Sequence, residues 1–237
     1  MKEQKLYSYV RRALSDYRMI QDHDRIALGI SGGKDSLTLL YALSGLRRFY
    51  PVPFEVIGIT VDLGYPGFDL SGIENLCRTL KVGYHVVSTQ IKDMVTEGDC
   101  SLCARLRKGA LLTEAKKLGC TSIAYAHNRD DVVETMMMSL IYEGRFSTFW
   151  PVTHFQDQGM DVIRPLIYVP GAHTAGFRNR YNLPVVENPC PYDKKTERTY
   201  VRNLIQEIDR HAPDVRKRMM TAILKGNLEG WQTVRSV

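Results

Sequence analysis

Apolar strand-like runs alternate with helical segments over residues 25–142, and this alternation constrains the fold more than any other feature of the chain. Short apolar runs rich in β-branched residues predict the strands, and longer segments with helical periodicity predict the helices. The predicted strands are 26–30, 54–61, 84–88 and 122–125, and the predicted helices are 35–47, 70–80, 103–118 and 130–142. Such alternation is typical of α/β proteins in which helices cover both faces of a parallel sheet. We therefore predict an α/β fold of this kind.

The length of 237 residues suits one such domain with small additions at its ends. We predict an N-terminal amphipathic helix within 1–24, a catalytic domain over 25–190 and a helical C-terminal extension over 191–237. The elements predicted outside the alternating region are a helix at 3–20, one or two strands within 149–152 and 162–169 around a polar turn at 156–159, and helices at about 171–182, 196–210 and 213–225.

Composition excludes several classes of protein. A hydrophobic content of 44% supports a full core, and no apolar run is long enough to predict a membrane span. The N-terminal residues lack the apolar core of a signal peptide, so we expect a cytoplasmic location. Five cysteines, an odd number, argue against a secreted disulfide framework. The net charge of +6 permits a polyanionic partner without requiring one.

The sequence from Ser31 to Ser36, Ser-Gly-Gly-Lys-Asp-Ser, follows the first predicted strand and opens a helix. Two glycines let the backbone approach a polyanion, and the free N–H groups of a helix start attract phosphate. The spacing differs from those of the common Gly-rich nucleotide loops. An ordinary helix start with a glycine turn is the alternative, but all six residues after a buried strand favour nucleotide binding.

A second polar segment, residues 126–135, follows the fourth predicted strand. Asn128 with Asp130 and Asp131 would suit a simple helix cap with acidic residues in the first turn. Capping does not explain His127 at the strand end. If this segment lies beside the Ser31–Ser36 loop, its carboxylates could hold Mg²⁺ against ATP phosphates.

Three of the cysteines have surroundings that suggest chemistry. Cys100 and Cys103 form a Cys-x-x-Cys pair at a helix start near basic residues, which favours thiolates. Cys190 lies between two prolines. The residues alone leave a redox dithiol, part of a zinc site and part of an iron–sulfur site open.

These motifs together resemble one family. The Ser31–Ser36 loop looks like the SGGxDS loop of the PP-loop ATP pyrophosphatases. The segment 126–135 is similar to the GHNxDDxxET signature of a tRNA-thiolating subgroup, with Ala126 in place of the glycine. The segment 100–111 is similar to the CxLCxRLRRGxL pattern of the 2-thiocytidine synthetase family, and 162–166 resembles its IRPL segment. The resemblance covers about residues 25–205.

The resemblance implies ATP-dependent tRNA thiolation. A pyrimidine carbonyl oxygen, at C2 of a tRNA cytidine, would be adenylated and then replaced by sulfur. The implied cofactors are ATP, Mg²⁺ and a [4Fe–4S] cluster held by Cys100, Cys103 and Cys190. Many family members have a second Cys-x-x-Cys where this chain has Cys190 as a lone cysteine.

The resemblance and the motifs together define the candidate site. The candidate catalytic residues are Lys34, Asp35, Arg107 and Asp130. The candidate nucleotide-binding residues are Leu28, Gly29, Ile30, Ser31, Gly32, Gly33, Ser36, Val61, Asp62, His127 and Asp131. Arg107 occupies the position of a basic residue that related 2-thiouridine enzymes place near the activated base.

The expected partners are tRNA and either inorganic sulfide or a sulfur-donor protein, with a homodimer as an open option. Basic residues such as Arg198 and Arg202 form a solvated face or contact an RNA backbone. Three other functions are alternatives: amidation of the lysidine synthetase type without a cluster, nucleotide sensing without turnover, and sulfur transfer to a small molecule.

Overall fold

The computed structural model describes residues 1–96, 99–155, 159–187, 189–190 and 197–234. Within these residues the strands form one sheet of order β3-β2-β1-β4-β6-β5. The strands are β1 Asp24–Gly29, β2 Phe54–Asp62, β3 Gly83–Ser88, β4 Ser122–Ala124, β5 Val152–Phe155 and β6 Met160–Ile163. The helices are α1 Glu3–Asp16, α2 Lys34–Leu46, α3 Ser71–Thr79, α4 Ile91–Met94, α5 Cys100–Lys117, α6 Arg129–Glu143, α7 Gly171–Arg180, α8 Glu197–His211 and α9 Val215–Lys225.

Side chains of successive strand residues pack into two hydrophobic clusters, one on each face of the sheet. In β1, Ile26 and Leu28 belong to the larger cluster, whereas Ala27 belongs to the smaller one. This alternation follows from the two-residue period of a strand. The larger cluster includes buried residues of α1, α2, α6, α7, α8 and α9, and the smaller one includes Leu111 and Ala115 of α5. The predicted α/β fold with both faces of the sheet covered is confirmed.

The sheet is parallel except at one edge. Strands β3, β2, β1, β4 and β6 pair in parallel, whereas β5 pairs antiparallel with β6. The prediction of a parallel sheet is therefore correct for five strands. The antiparallel edge arises because β5 and β6 are separated by only a short connection, which cannot hold the crossover that parallel strands need. Most of the predicted turn at 156–159 lies outside the described residues, which resume at Gly159.

Two local features differ from the sequence prediction. Strand β6 ends at Ile163 rather than continuing to Val169, because Pro165 cannot donate a ladder hydrogen bond and the chain turns there. Helix α5 begins at Cys100 rather than Cys103, since the Asp99 side chain accepts a hydrogen bond from Leu102 N at 2.9 Å and caps the helix earlier. The first turn of α5 therefore contains both cysteines of the pair.

Helices α1, α8 and α9 pack on the same cluster as the central helices, with Leu6, Val201 and Ile223 fully buried. The start of the predicted C-terminal extension, residues 191–196, lies outside the described residues. The division into 1–24, 25–190 and 191–237 stays a prediction. No helix in the described part of the chain is long and apolar enough to cross a membrane.

Candidate active site

The loop Ser31–Ser36 connects the carboxyl end of β1 to α2 at the centre of the sheet. Gly32 has a φ of 83°, in the left-handed region that L side chains rarely adopt. Gly33 is the N-cap of α2, and no side chain caps the helix. The Ser36 hydroxyl donates to Gly33 O at 2.9 Å and fixes the turn. The first N–H groups of α2 are thus left for an anionic ligand, as phosphate binding at a helix start requires.

A backbone hydrogen bond joins this loop to the segment that leads to Cys190. Val186 N donates to Gly32 O at 3.0 Å. A Cβ added at Gly32 would lie 3.3 Å from Val186 Cβ, so the two backbones approach closely. The third candidate cysteine is therefore positioned by a segment that contacts the phosphate loop directly.

Two residues at the start of α2 interact with each other and with α7. Lys34 Nζ donates to Asp35 Oδ2 at 2.6 Å, and the Thr174 hydroxyl donates to Asp35 Oδ1 at 2.5 Å. Thr174 is fully buried. The Asp35 carboxylate is thus held in one orientation beside the loop, with one cation next to it.

The start of α6 lies beside the same carboxylate. Asn128 Oδ1 accepts hydrogen bonds from the N–H groups of Asp130 and Asp131, and Asp131 Oδ2 accepts one from Asn128 N at 2.8 Å. This is a capping box, which the simple capping interpretation of the sequence anticipated. Burial, and then the charges of Asp35 and Glu134, raise the pKa of Asp131 to about 6.

Asp130 is engaged differently from Asp131. Its Oδ2 accepts a hydrogen bond from Gly171 N at 3.1 Å, and its Oδ1 accepts from the Arg129 guanidinium at 3.3 Å. A Cβ at Gly171 would meet Asp130 Oδ2 at 2.8 Å, so only glycine permits this contact without a shift. Asp130 therefore joins α6 to the start of α7.

A cavity of about 710 Å³ opens above the carboxyl ends of β1, β2, β4 and β6. Its volume lies in the upper part of the range of roughly 300–1,000 Å³ that is usual for ligand pockets. The sequence-predicted residues that line it are Gly29, Ile30, Ser31, Gly33, Asp35, Ser36, Val61, Cys100, Cys103, Arg107, His127 and Cys190. A second cavity of about 500 Å³ shares Ser31, Gly33, Val61, Arg107 and Cys190 with the first. The fold thus brings the phosphate loop and all three cysteines to one cavity.

Other predicted residues lie off this cavity wall: Leu28, Gly32, Lys34, Asp62, Asp130 and Asp131. Leu28 has no exposed surface because its side chain points into the hydrophobic cluster, so it cannot flank a nucleotide. The carboxylate of Asp62 accepts a hydrogen bond from Gly64 N at 2.9 Å and stabilises the turn after β2.

The three cysteines share the cavity without forming a preassembled metal site. Cys100 is exposed, whereas Cys103 and Cys190 are partly buried. Among the described residues, no three His, Cys, Asp or Glu side chains are grouped closely enough to hold a metal ion. Burial raises the pKa of Cys103, and the charge of Arg107 opposes that rise. Three thiols on one accessible wall are a donor set that suits an iron–sulfur cluster, provided that the side chains converge on it.

The comparison with protein-family models decides the family. The PP-loop domain model matches residues 3–208. The chain belongs to the PP-loop family. Its relatives include the tRNA-cytidine(32) 2-sulfurtransferase of Geobacter sulfurreducens, 36% identical, with 95% of this chain and 90% of that protein covered. The enzyme of the same name from Teredinibacter turnerae is 35% identical, with 89% of this chain and 72% of the relative covered.

Solved PP-loop structures agree with this assignment. The U34-tRNA thiolase NcsA from Methanococcus maripaludis, determined with its [4Fe–4S] cluster, matches with a TM-score of 0.77 at 25% identity. The match covers 96% of this chain and 80% of that one. The NMN synthetase of Francisella tularensis matches with a TM-score of 0.51 at 16% identity, which supports the fold alone.

Sequence reasoning missed two polar residues of this PP-loop cavity, Tyr125 and Arg164, which line it together with His127. It also missed Phe149, on which the His127 ring packs with centroids 4.7 Å apart. Arg164 lies in the IRPL-like segment, which had indicated only a strand that ends at a proline. No periodic pattern distinguishes Tyr125 from a packed strand residue. Only its position at the carboxyl end of β4 could have indicated that it lines the cavity.

Two basic residues that were expected on a solvated face or in contact with RNA are partly exposed, and both also pair with a buried carboxylate. Arg202 Nε lies 2.9 Å from Glu134 Oε1, and Arg198 Nη1 lies 3.8 Å from Glu134 Oε2. The Glu134 side chain is only 3% exposed. Both arginines therefore join α8 to α6, and a buried carboxylate compensates their charge.

Proposed function

We propose that the protein is an ATP-dependent tRNA sulfurtransferase that replaces O2 of a cytidine with sulfur, at tRNA position 32 as the names of its relatives state. The observation that most supports this proposal is the single cavity lined by both the phosphate loop and the three cysteines. Activation of an oxygen by ATP and delivery of sulfur can then occur in the same cavity.

The reaction has two balanced steps. The cytidine O2 attacks the α-phosphorus of ATP, the bond to the bridging oxygen breaks, and pyrophosphate leaves. A sulfur nucleophile then forms a bond to C2, and the C2–O2 bond breaks with AMP as the leaving group, so AMP retains the original oxygen. Adenylation is needed because a carbonyl oxygen leaves poorly.

The Ser31–Ser36 loop would bind the phosphates through the N–H groups at the start of α2. Lys34 would turn from Asp35 towards the phosphates and offset the charge that develops on the departing pyrophosphate. Gly29, Ile30 and Val61, with Ile59 and Leu63, would surround the adenosine on the apolar part of the cavity wall.

Mg²⁺ would bind between the phosphates on one side and the carboxylates of Asp35 and Asp131 on the other. The charge of Asp35 helps to raise the pKa of Asp131, so the two carboxylates repel each other in the absence of a cation. A divalent ion with carboxylate and phosphate ligands would remove this repulsion. We favour Asp131 over Asp130 for this role because the charge of Asp35 acts on Asp131, whereas Asp130 is engaged with Gly171 N and Arg129.

Cys100, Cys103 and Cys190 would hold the [4Fe–4S] cluster. When bound, the cluster supplies an iron without a protein ligand at which sulfur can be presented. Arg107 lines both cavities and would orient the adenylated base while keeping the cysteine thiolates in a positive field. Sulfide or a sulfur-donor protein would supply the sulfur, and a homodimer stays an open option.

Anaerobically reconstituted protein with ATP, Mg²⁺, sulfide, free lysine and tRNA transcript tests this function. We expect tRNA-dependent AMP and pyrophosphate formation, and mass spectrometry of the nucleosides should show one oxygen of cytidine replaced by sulfur. Cys190→Ala should bind ATP normally and fail to thiolate. Formation of a lysine-modified cytidine, or thiolation that persists in Cys190→Ala, would contradict the proposal.

A further inference from the structure

Three buried side-chain polar atoms of cavity-lining residues have no hydrogen-bond partner within the described part of the chain. They are the Tyr125 hydroxyl, Nδ1 of His127 and Nε of Arg164. All three residues line the 710 Å³ cavity. Buried polar groups in folded proteins are nearly always paired, so three unpaired ones on one cavity wall require an explanation.

The surrounding structure holds these side chains in place without satisfying the three atoms. Nη1 of Arg164 donates to Trp150 O at 2.5 Å and to Thr153 Oγ1 at 3.0 Å, and its guanidinium lies 5.1 Å from the centroid of Phe149. The His127 ring packs on the same Phe149 with an interplanar angle of 34°. Immobilised side chains with unused hydrogen-bonding capacity are characteristic of a preorganised ligand site.

The position of the three residues separates them from the apolar wall assigned to adenosine. Val61 lies near the end of β2 and Leu63 follows that strand. The phosphate loop follows β1, Tyr125 follows β4 and Arg164 follows β6. Three interstrand spacings put the β2 and β6 ends roughly 14 Å apart, on opposite sides of the loop. An ATP molecule with its phosphates on the loop and its base on the apolar side leaves the polar side free.

We propose that Tyr125, His127 and Arg164 form the subsite that receives the polar edge of the target cytosine. This inference rests on the proposed function and extends it to base recognition. The subsite adjoins the loop that holds the α-phosphate, as attack by O2 requires. An enzyme that modifies a tRNA base in this way must take the base out of its stack and hold it in a pocket.

The chemistry of the three groups matches cytosine. The Arg164 Nε–H can donate to the O2 or N3 acceptors. Burial and two nearby arginine charges lower the pKa of His127 to about 3, so its imidazole is neutral at physiological pH and can accept from the 4-amino group. The Tyr125 hydroxyl can donate or accept. Uracil has an oxygen where cytosine has the amino group, and would leave the histidine without a donor.

Tyr125→Phe tests the subsite because it removes only an oxygen that has no hydrogen-bond partner among the described residues. Ser122→Ala is the matched control: it removes a buried hydroxyl from β4, the strand that leads to Tyr125, and this hydroxyl also has no partner among the described residues and lies away from the cavity wall. Affinity would be measured for two transcripts, one with cytidine and one with an abasic residue at position 32. ATP affinity and the thermal midpoint would be measured for each protein.

We expect removal of the base to weaken binding by about five- to tenfold in the wild type and in Ser122→Ala. In Tyr125→Phe and Arg164→Lys, removal of the base should weaken tRNA binding distinctly less, since these variants already lack part of the contact to the base. The thermal midpoint of Tyr125→Phe should not fall, and its ATP affinity should not change.

Equal losses for all four proteins, or a fall in ATP affinity in Tyr125→Phe, would overturn the subsite. The two proposals can fail separately. If the wild type binds the transcript with cytidine more tightly than the abasic one but never thiolates it, the sulfurtransferase function is refuted and the subsite stands.

Discussion

Asp131 should destabilise the ligand-free protein at neutral pH, and its replacement by Asn should therefore stabilise it. Burial and the nearby charges raise its pKa from 3.8 to about 6. Since one pKa unit corresponds to about 1.4 kcal/mol, the ionised carboxylate lowers the free energy of unfolding by about 3 kcal/mol. Asn keeps an oxygen that can accept the hydrogen bond from Asn128 N.

The sign of the pH dependence follows from the direction of the shift. An acid whose pKa is raised in the folded state destabilises the protein fully at a pH above its folded-state pKa, here about 6. The destabilisation disappears well below its unfolded-state pKa of 3.8. The stability difference between Asp131→Asn and the wild type should thus fall from about 3 kcal/mol at pH 8 to about half of that at pH 5.

Urea unfolding at pH 8 and pH 5 measures this difference. Asp130→Asn is the matched control, because its carboxylate bonds to Gly171 N and Arg129 and its replacement should bring no gain. MgATP should raise the thermal midpoint of the wild type more than that of Asp131→Asn. A variant that is less stable than the wild type at pH 8, or a difference that is independent of pH, would refute the electrostatic explanation.

Three further substitutions test other parts of the site. Gly32→Ala should lower the free energy of unfolding by about 1–2 kcal/mol because its φ of 83° strains an L residue, and it should weaken ATP binding measured by calorimetry. Arg202→Gln should cost about 1–2 kcal/mol in urea unfolding, since it leaves the buried Glu134 carboxylate with the longer 3.8 Å contact to Arg198, while water screens the half-exposed Arg202 and limits the loss. Cys103→Ser should reduce the iron and sulfide content and the visible absorption of anaerobically reconstituted protein.

Each of these predictions has a control in the same chain. Gly33→Ala should be tolerated in the fold, because Gly33 has a φ of −75° and an added Cβ would contact only Ser31 Oγ at 3.5 Å. Glu134→Gln combined with Arg202→Gln should recover part of the lost stability. Cys77→Ala should retain full iron content, as this thiol is buried in the core. Equal effects of a substitution and its control would contradict the corresponding prediction.

The sequence predicted the elements whose patterns are local. Strands β1 to β4 and their helices follow from apolar periodicity, and the turn at Gly32 follows from glycine alone. The short helix α4 was missed because four residues are too few to show a period. The capping by Asp99 that starts α5 early depends on one side-chain contact, which periodicity cannot reveal.

The parts of the site that could not be predicted depend on contacts between distant residues. Arg202 pairs with Glu134 across 68 residues, and only their proximity in the fold shows that this half-exposed arginine has a buried carboxylate as its partner. Within the described residues the Tyr125 hydroxyl and Nε of Arg164 have no hydrogen-bond partner, and this likewise depends on what packs around them rather than on neighbours in sequence. Leu28 was assigned to the nucleotide because it precedes the loop, but the strand alternation turns its side chain into the core.

The hydrogen bond between Val186 N and Gly32 O limits how far the thiol of Cys190 can move from the phosphate loop. Cys190 is four residues beyond Val186, so its backbone can lie at most about 14 Å from that anchor in any conformation. A nucleotide that shifts Gly32 must either move this anchor with it or break the bond. Nucleotide binding at the loop therefore affects the positions that Cys190 can occupy, although the two belong to different steps of the chemistry.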